Sequence, residues 1–212
     1  MLFDLDGVLL DSASAVRATL AGVATCATGR RVMPRDLPPG ALRRPRVEVL
    51  ALLDVADPDD ACARWWDSAM AATPIAAFPG VLPGLQALRD RGAALGAVTL
   101  QDRDRLQWLL PPAVAELLDV VVTRHDAPPK PAPDGLTAAL NRLDARPERA
   151  VFVGDSPTDM AAARAAGVLA LGATWGFHPP AALLTAGADH LLPHPTSIGP
   201  SLLHYLPLID SA

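Results

Sequence analysis

Met1-Leu2-Phe3-Asp4-Leu5-Asp6-Gly7-Val8 opens the chain with an apolar run that ends in two carboxylates. Read as a strand, the run leaves Asp4 and Asp6 at its carboxyl end, where successive side chains alternate across the strand. Gly7 gives the backbone the freedom to turn there. If the chain folds back, both carboxyl groups crowd one spot. Two anions that close repel strongly unless a cation sits between them. The stretch therefore points to a metal and an acid–base pair at the end of a strand.

Working outward, the sequence from Pro79 onward repeats one pattern. It predicts helices over 82–91, 102–110, 134–143, 157–166 and 179–186, and strands over 93–99, 120–123, 150–153, 168–171 and 190–192. Residues 197–206 read as a last helix. Short continuous apolar strands alternating with helices imply α/β architecture: a Rossmann-like parallel sheet with helices on both faces. No strand is evident between Leu10 and Ala77. That block reads as helices over 13–28, 47–55 and 58–72 joined by an irregular stretch over 30–46. Asp11 or Ser12 is placed to cap the first helix and Gly29 to close it. The expected organisation is a core of residues 1–12 and 77–212 interrupted by a helical insertion over 13–76.

Composition bounds the function. The chain has 212 residues, half of them hydrophobic and 19% charged, enough for a sizeable core. A net charge of −5 without a long basic run argues against nucleic acid as partner. No apolar stretch reaches the roughly 18 residues of a membrane span, and no basic segment leads into an apolar one at the start. A cytoplasmic protein, monomer or homodimer, is the expectation. Cys26 and Cys62 have neither disulfide nor metal-site spacing and read as buried apolar residues. Only one of the 18 basic residues is lysine, Lys130. A lone lysine among arginines marks either a position that needs a compact point charge rather than a planar fork or one surface lysine that survived by chance.

Sheets of this class bind ligands outside the carboxyl ends of their strands. Asp4 and Asp6 follow the first strand, Thr99 the second, and Lys130 lies in the loop after the third. Gly154-Asp155-Ser156-Pro157-Thr158-Asp159 follows the fourth. Singly, each has a local reading: Asp155 or Asp159 as a helix cap, Thr99 as a strand end. Together they gather carboxylates, a hydroxyl and the only lysine on one face.

These residues resemble, in order, the four motifs of the haloacid dehalogenase superfamily: Asp4-Leu5-Asp6-Gly7-Val8, Val98-Thr99, Lys130-Pro131, and Gly154-Asp155 with Asp159. The resemblance covers nearly the whole chain, and the insertion falls where that superfamily places a small α-helical cap. Phe78-Pro79-Gly80, Lys130-Pro131-Ala132-Pro133-Asp134, the stretch 151–167 and Thr174-Trp175-Gly176 are most similar to phosphoglycolate phosphatase-type members. The resemblance implies a phosphatase acting on a small phosphorylated metabolite, phosphoglycolate or a sugar phosphate. Asp4 would be the nucleophile, becoming an aspartyl phosphate. Asp6 would be the general acid and base. Thr99, the Leu100 N–H and Lys130 would bind the phosphoryl oxygens. Mg²⁺ would be held by Asp4, the Asp6 carbonyl and Asp155. Asp159 would support it, either behind the metal or paired with Lys130.

Asp6 separates this chain from the dehalogenases, which lack the second carboxylate. Phosphonate-cleaving relatives need a cap lysine, and the insertion has none. Phosphosugar mutases usually carry a cap histidine near the acid–base residue. No histidine lies between Leu10 and Pro79, which favours hydrolysis and leaves mutase as the alternative. The apolar lead-in of only three residues motivates a second alternative, a degenerate member that binds a phosphorylated ligand without turnover. Arg43, Arg44 and Arg46 are candidates to grip a carboxylate or second phosphate of the substrate, or else form a solvated basic loop. Trp65, Trp66, Trp175 and His178 read as packing residues. Gln101-Asp102-Arg103 departs from the Asn-containing continuation common after the second motif.

Overall fold

The first strand is short because its apolar run is short, yet both of its residues are fully buried. In the computed structural model, which describes residues 1–205, the elements follow in order. They begin with β1 (Leu2–Phe3), β2 (Leu10–Asp11), α1 (Ala13–Thr28), α2 (Arg46–Leu52), α3 (Pro58–Ala71) and β3 (Ala76–Ala77). Then come α4 (Val81–Arg89), β4 (Gly96–Val98), α5 (Arg103–Leu109), α6 (Pro112–Ala115), β5 (Val120–Val122) and α7 (Asp134–Arg142). The series ends with β6 (Val151–Gly154), α8 (Pro157–Ala165), β7 (Leu169–Ala173), α9 (Pro180–Thr185) and β8 (His190–Leu192). Six strands form one parallel sheet in the order β5-β4-β1-β6-β7-β8. The α/β, Rossmann-like expectation holds.

Register explains the site. Leu2 lies between Gly96 and Phe152, and Phe3 between Ala97 and Val153, so β1, β4 and β6 end side by side. Gly96 is required there: a Cβ would stand 2.7 Å from Val120 Cγ1 and 2.8 Å from Leu2 Cδ2. Around Phe152 the apolar faces of α7 and α8 pack through Leu136, Leu140, Met160 and Ala163. The strand predicted over 93–99 shrinks to Gly96–Val98. Leu95 N–H donates instead to the Asp119 carboxylate at 2.8 Å, outside any ladder.

The chain divides into two units, Ser12–Ile75 and the remainder. The Ser12–Ile75 unit has its own core, in which Leu20, Val23, Val49, Leu50, Cys62 and Trp66 pack together. Gly29 closes α1 in the left-handed region, its N–H donating to Thr25 O. Ser12 begins α1 without a side-chain cap bond, against expectation. Asp57 caps α3 by accepting from Asp60 N–H at 3.0 Å. Of the adjacent tryptophans, Trp66 is the buried one.

Several sequence expectations change. Cys26 is exposed, because it falls outside the stripe of Ala15, Thr19, Leu20, Val23 and Ala24 that α1 buries. The insertion is bounded by a two-residue antiparallel ribbon, β2 with β3, too short to read from alternation. The helix predicted over 197–206 becomes two single 3₁₀ turns, Pro195–Ser197 and Leu202–Tyr205, with Leu206 outside the described residues. Gly199 at φ +104°, followed by Pro200, breaks helical continuity.

Candidate active site

The loop after β1 is locally determined. Asp4 N–H donates to Val153 O at 2.9 Å, so the strand pairing continues to the first carboxylate. The N–H groups of Val8, Leu9 and Leu10 then all donate to Leu5 O, wrapping the chain into one tight turn. Gly7 sits at φ +78°, and a Cβ there would lie 2.4 Å from Asp155 Oδ2. Glycine is needed both for the turn and for the approach of Asp155. Trp175 Nε1–H donates to Val8 O at 3.1 Å and ties the turn to the chain beyond β7.

Lys130 is buried; its Nζ forms ion pairs with Asp4 Oδ1 at 2.9 Å and Asp159 Oδ1 at 2.6 Å, and donates to Val98 O at 3.2 Å. An ammonium has three protons and no acceptor, which suits a nitrogen surrounded by three oxygens. Convergence of three partners on one nitrogen suits a point charge rather than a planar guanidinium. Burial alone would push the Lys130 pKa down, but Asp159 and Asp4 outweigh it and hold the amine above its ordinary range.

Asp159 serves two purposes. Its Oδ2 accepts from the N–H groups of Asp155 and Ser156 and from Ser156 Oγ at 2.6 Å, and Ser156 Oγ caps α8 in return. Its other oxygen faces Lys130. The cap reading and the site reading are both realised in one side chain. Asp159 thus stands beside Lys130 and also beside Asp4 and Asp155, the two positions its expected supporting roles name. Asp155, also buried, accepts from Phe177 N–H at 2.6 Å. Gly176 makes room for it: a Cβ there would lie 2.3 Å from Asp155 Cβ.

One oxygen each of Asp4, Asp155 and Asp159 lie within 4.8 Å of one another. Burial, then the other carboxylates, raise the pKa of Asp155 well above its ordinary value. For Asp4, burial raises the pKa to about 7, with Lys130 opposing and Asp159 and Asp6 adding to the rise. Two buried carboxylates and a half-buried one against one ammonium leave an excess of acidic groups. Hard oxygen donors with excess negative charge fit a hard divalent cation.

Asp6 takes a different environment. Its Oδ2 accepts from Gln101 Nε2–H at 2.6 Å, while its buried Oδ1 has no hydrogen-bond partner among the described residues. Thr99 is buried at the end of β4, its N–H donating to Val122 O and its Oγ1 accepting from Gln101 N–H at 3.2 Å. Thr99, Leu100 and Lys130 border one small recess between the ends of β4 and β5. Of the three arginines, Arg43 is exposed, Arg44 pairs with Glu48, and Arg46 lies over the Trp66 ring at 4.7 Å. Gln101, Gly176 and Phe177 were not assigned to the site from sequence. Each acts on a carboxylate distant in the chain, and only Gly176 falls in a segment singled out by the resemblance, Thr174-Trp175-Gly176.

The raised pKa of Asp4 sets a pH test on the metal-free protein. Between the ordinary value of 3.8 and about 7, native Asp4 keeps a proton that the unfolded chain gives up. Its stabilisation is therefore full below the lower value and lost as pH rises through the upper. Asparagine does not titrate. The melting temperature of Asp4→Asn relative to wild type should thus climb between about pH 5 and about pH 8 in chelator. A constant difference would remove the assignment.

The sequence profile of the haloacid dehalogenase-like hydrolases matches residues 1–167. A plasmid-encoded phosphoglycolate phosphatase of Cupriavidus necator is 40% identical over 117 residues, covering 54% of this chain and 51% of that protein. The chain thus spans about half the length of that relative. A phosphoglycolate phosphatase of Xanthomonas campestris pv. campestris is 32% identical over 186 residues, covering 84% and 83%. Among solved structures, a beta-phosphoglucomutase candidate from Thermotoga maritima superposes with TM-score 0.76 at 25% identity, covering 96% and 97%. A variant of CbbY from Rhodobacter sphaeroides in complex with xylulose-(1,5)bisphosphate superposes with TM-score 0.72 at 25% identity, covering 93% and 95%.

Proposed function

We propose a phosphatase function for this chain, which belongs to the haloacid dehalogenase-like hydrolases: Mg²⁺-dependent hydrolysis of a small-metabolite phosphomonoester, of phosphoglycolate or sugar phosphate type. The observation that carries it is Asp4 held at 2.9 Å by Lys130 beside Asp155, with Asp6 two residues on and turned to a separate partner. Asp4, Asp155 and the Asp6 carbonyl would hold Mg²⁺. When bound, the ion offsets the like charge of carboxylate and phosphate and polarises the phosphoryl group.

Asp4 attacks phosphorus and forms an aspartyl phosphate, a mixed anhydride. Asp6 gives its proton to the leaving alkoxide, then takes one from the water that hydrolyses the aspartyl phosphate. Lys130, the Thr99 hydroxyl and the Leu100 N–H bind the phosphoryl oxygens as charge builds on them. Asp159 keeps Lys130 in place through their ion pair, and Phe177 N–H fixes Asp155, which would hold the ion. The helical unit would act as the cap that selects the leaving group. Within it Arg43, exposed at the end of a 3₁₀ turn, is free of the ion pair and ring contact that engage Arg44 and Arg46 among the described residues, and is the candidate to grip a carboxylate or second phosphate.

A panel of phosphorylated metabolites, assayed for phosphate release with Mg²⁺ and with chelator, tests the reading. Mg²⁺-dependent release from phosphoglycolate or a sugar phosphate is expected. An isomerised sugar phosphate without free phosphate would replace hydrolysis by mutase chemistry. Binding without turnover across the panel would replace it by a phospho-ligand binding role.

A further inference from the structure

Gln101 bridges two groups that the proposed reaction does not otherwise connect. Its Nε2–H donates to Asp6 Oδ2 at 2.6 Å, and its Oε1 accepts from Arg105 Nη1–H at 2.7 Å. Arg105 is buried and paired with Asp102 at 3.1 Å. Asp102 is in turn held by Arg124 and His125, each at 2.8 Å. A guanidinium has only donors, so the Gln101 oxygen must face Arg105 and the amide nitrogen must face Asp6. The amide cannot flip without leaving a buried cation opposite an NH₂ group.

We propose that Gln101, oriented by Arg105, is the positioning residue of Asp6: it keeps Oδ2 as a hydrogen-bond acceptor and reserves Oδ1 for proton transfer. Oδ1 is the oxygen that is buried and without a partner among the described residues. The inference rests on the phosphatase reading above. In the first half-reaction an Asp4 oxygen bonds to phosphorus, the ester P–O bond breaks, and the proton on Asp6 Oδ1 passes to the departing oxygen. In the second, water oxygen bonds to phosphorus and one of its protons passes to Asp6 Oδ1. The Asp4–P bond then breaks, releasing inorganic phosphate. Both transfers use the same oxygen, so a carboxyl free to rotate would be misplaced in both. A misplacement of about 1 Å costs on the order of 10²-fold in rate.

The test uses the intact protein with Mg²⁺ and p-nitrophenyl phosphate. Its nitrophenolate leaves without needing a proton, so only the water step depends on Asp6. Gln101→Met keeps the volume and removes both bonds. It should lower kcat by on the order of 10²-fold, with KM falling alongside it because the slowed step follows phosphoryl transfer. It should also raise the fraction of phosphoenzyme found on acid quench, which a loss of packing alone would not do. Gln101→Glu still accepts from Arg105 but turns a carboxylate towards Asp6, and should be at least as impaired. Arg105→Lys, which keeps a donor-only cation, should retain most of the activity. Wild-type kcat and phosphoenzyme levels in a folded Gln101→Met would overturn the proposal. A second readout does not depend on turnover. The Gln101 side-chain amide signals in a ¹⁵N spectrum should shift in Asp6→Leu and in Arg105→Met. If neither shifts, the relay is wrong whatever the activity; if they shift and no substrate is hydrolysed, the phosphatase reading fails alone.

Discussion

Lys130→Met is expected to lose both stability and turnover. The variant leaves Asp4 and Asp159 facing each other in a buried site without the ammonium that now sits 2.9 and 2.6 Å from them. Removing one partner of a buried ion pair typically costs about 3–5 kcal/mol, because the remaining charge is stranded. The loss should be greatest in metal-free buffer near pH 8. It should ease at lower pH, where Asp4, already raised to about 7 with the lysine present, takes up a proton. Removing one donor to the transferring phosphoryl group should lower kcat by about 10²–10³-fold. Lys130→Arg should rescue little, since the site brings three acceptors to a single nitrogen. Chemical denaturation and phosphate release on the same samples check both halves. An arginine variant with wild-type stability and turnover would contradict the point-charge argument.

The lone lysine is where sequence and structure meet most directly. Composition marked Lys130 as unusual, and the three converging acceptors supply the physical reason. Asp4, Thr99 and Asp155 were legible for a related reason. Each follows a short apolar run, and parallel sheets deliver such residues to one edge. The adjacency of β1, β4 and β6 then brings them together.

What stayed hidden depends on contacts that carry no local pattern. Gln101 reaches Asp6 across 95 residues of chain, and nothing in its neighbours forecasts that bond. Phe177 contributes a backbone N–H to Asp155, which any side chain could have supplied. Gly176 lay in a segment marked only by resemblance, and its reason is that Asp155 fills the space a Cβ would need. The exposure of Cys26 was missed because the class average for free cysteine was applied instead of its position on the α1 face.

The second large effect concerns Asp4 itself. Asp4→Asn keeps the shape of the side chain and the Val153 hydrogen bond, which comes from the backbone N–H. It removes the carboxylate that would bond to phosphorus and one charge from the Asp4, Asp155 and Asp159 cluster. Turnover should fall to the background of the assay, while the fold is retained. Asp6 cannot substitute, because its Oδ2 is engaged by Gln101 rather than by Lys130.

The most direct measurement is where the phosphoryl group goes. Protein mixed with a turned-over substrate and Mg²⁺, quenched in acid and mapped by peptide mass, should carry one phosphoryl group on the peptide containing Asp4. Asp4→Asn should carry none and release no phosphate. Rapid turnover with the phosphoryl group on another residue, or full activity in Asp4→Asn, would contradict the account.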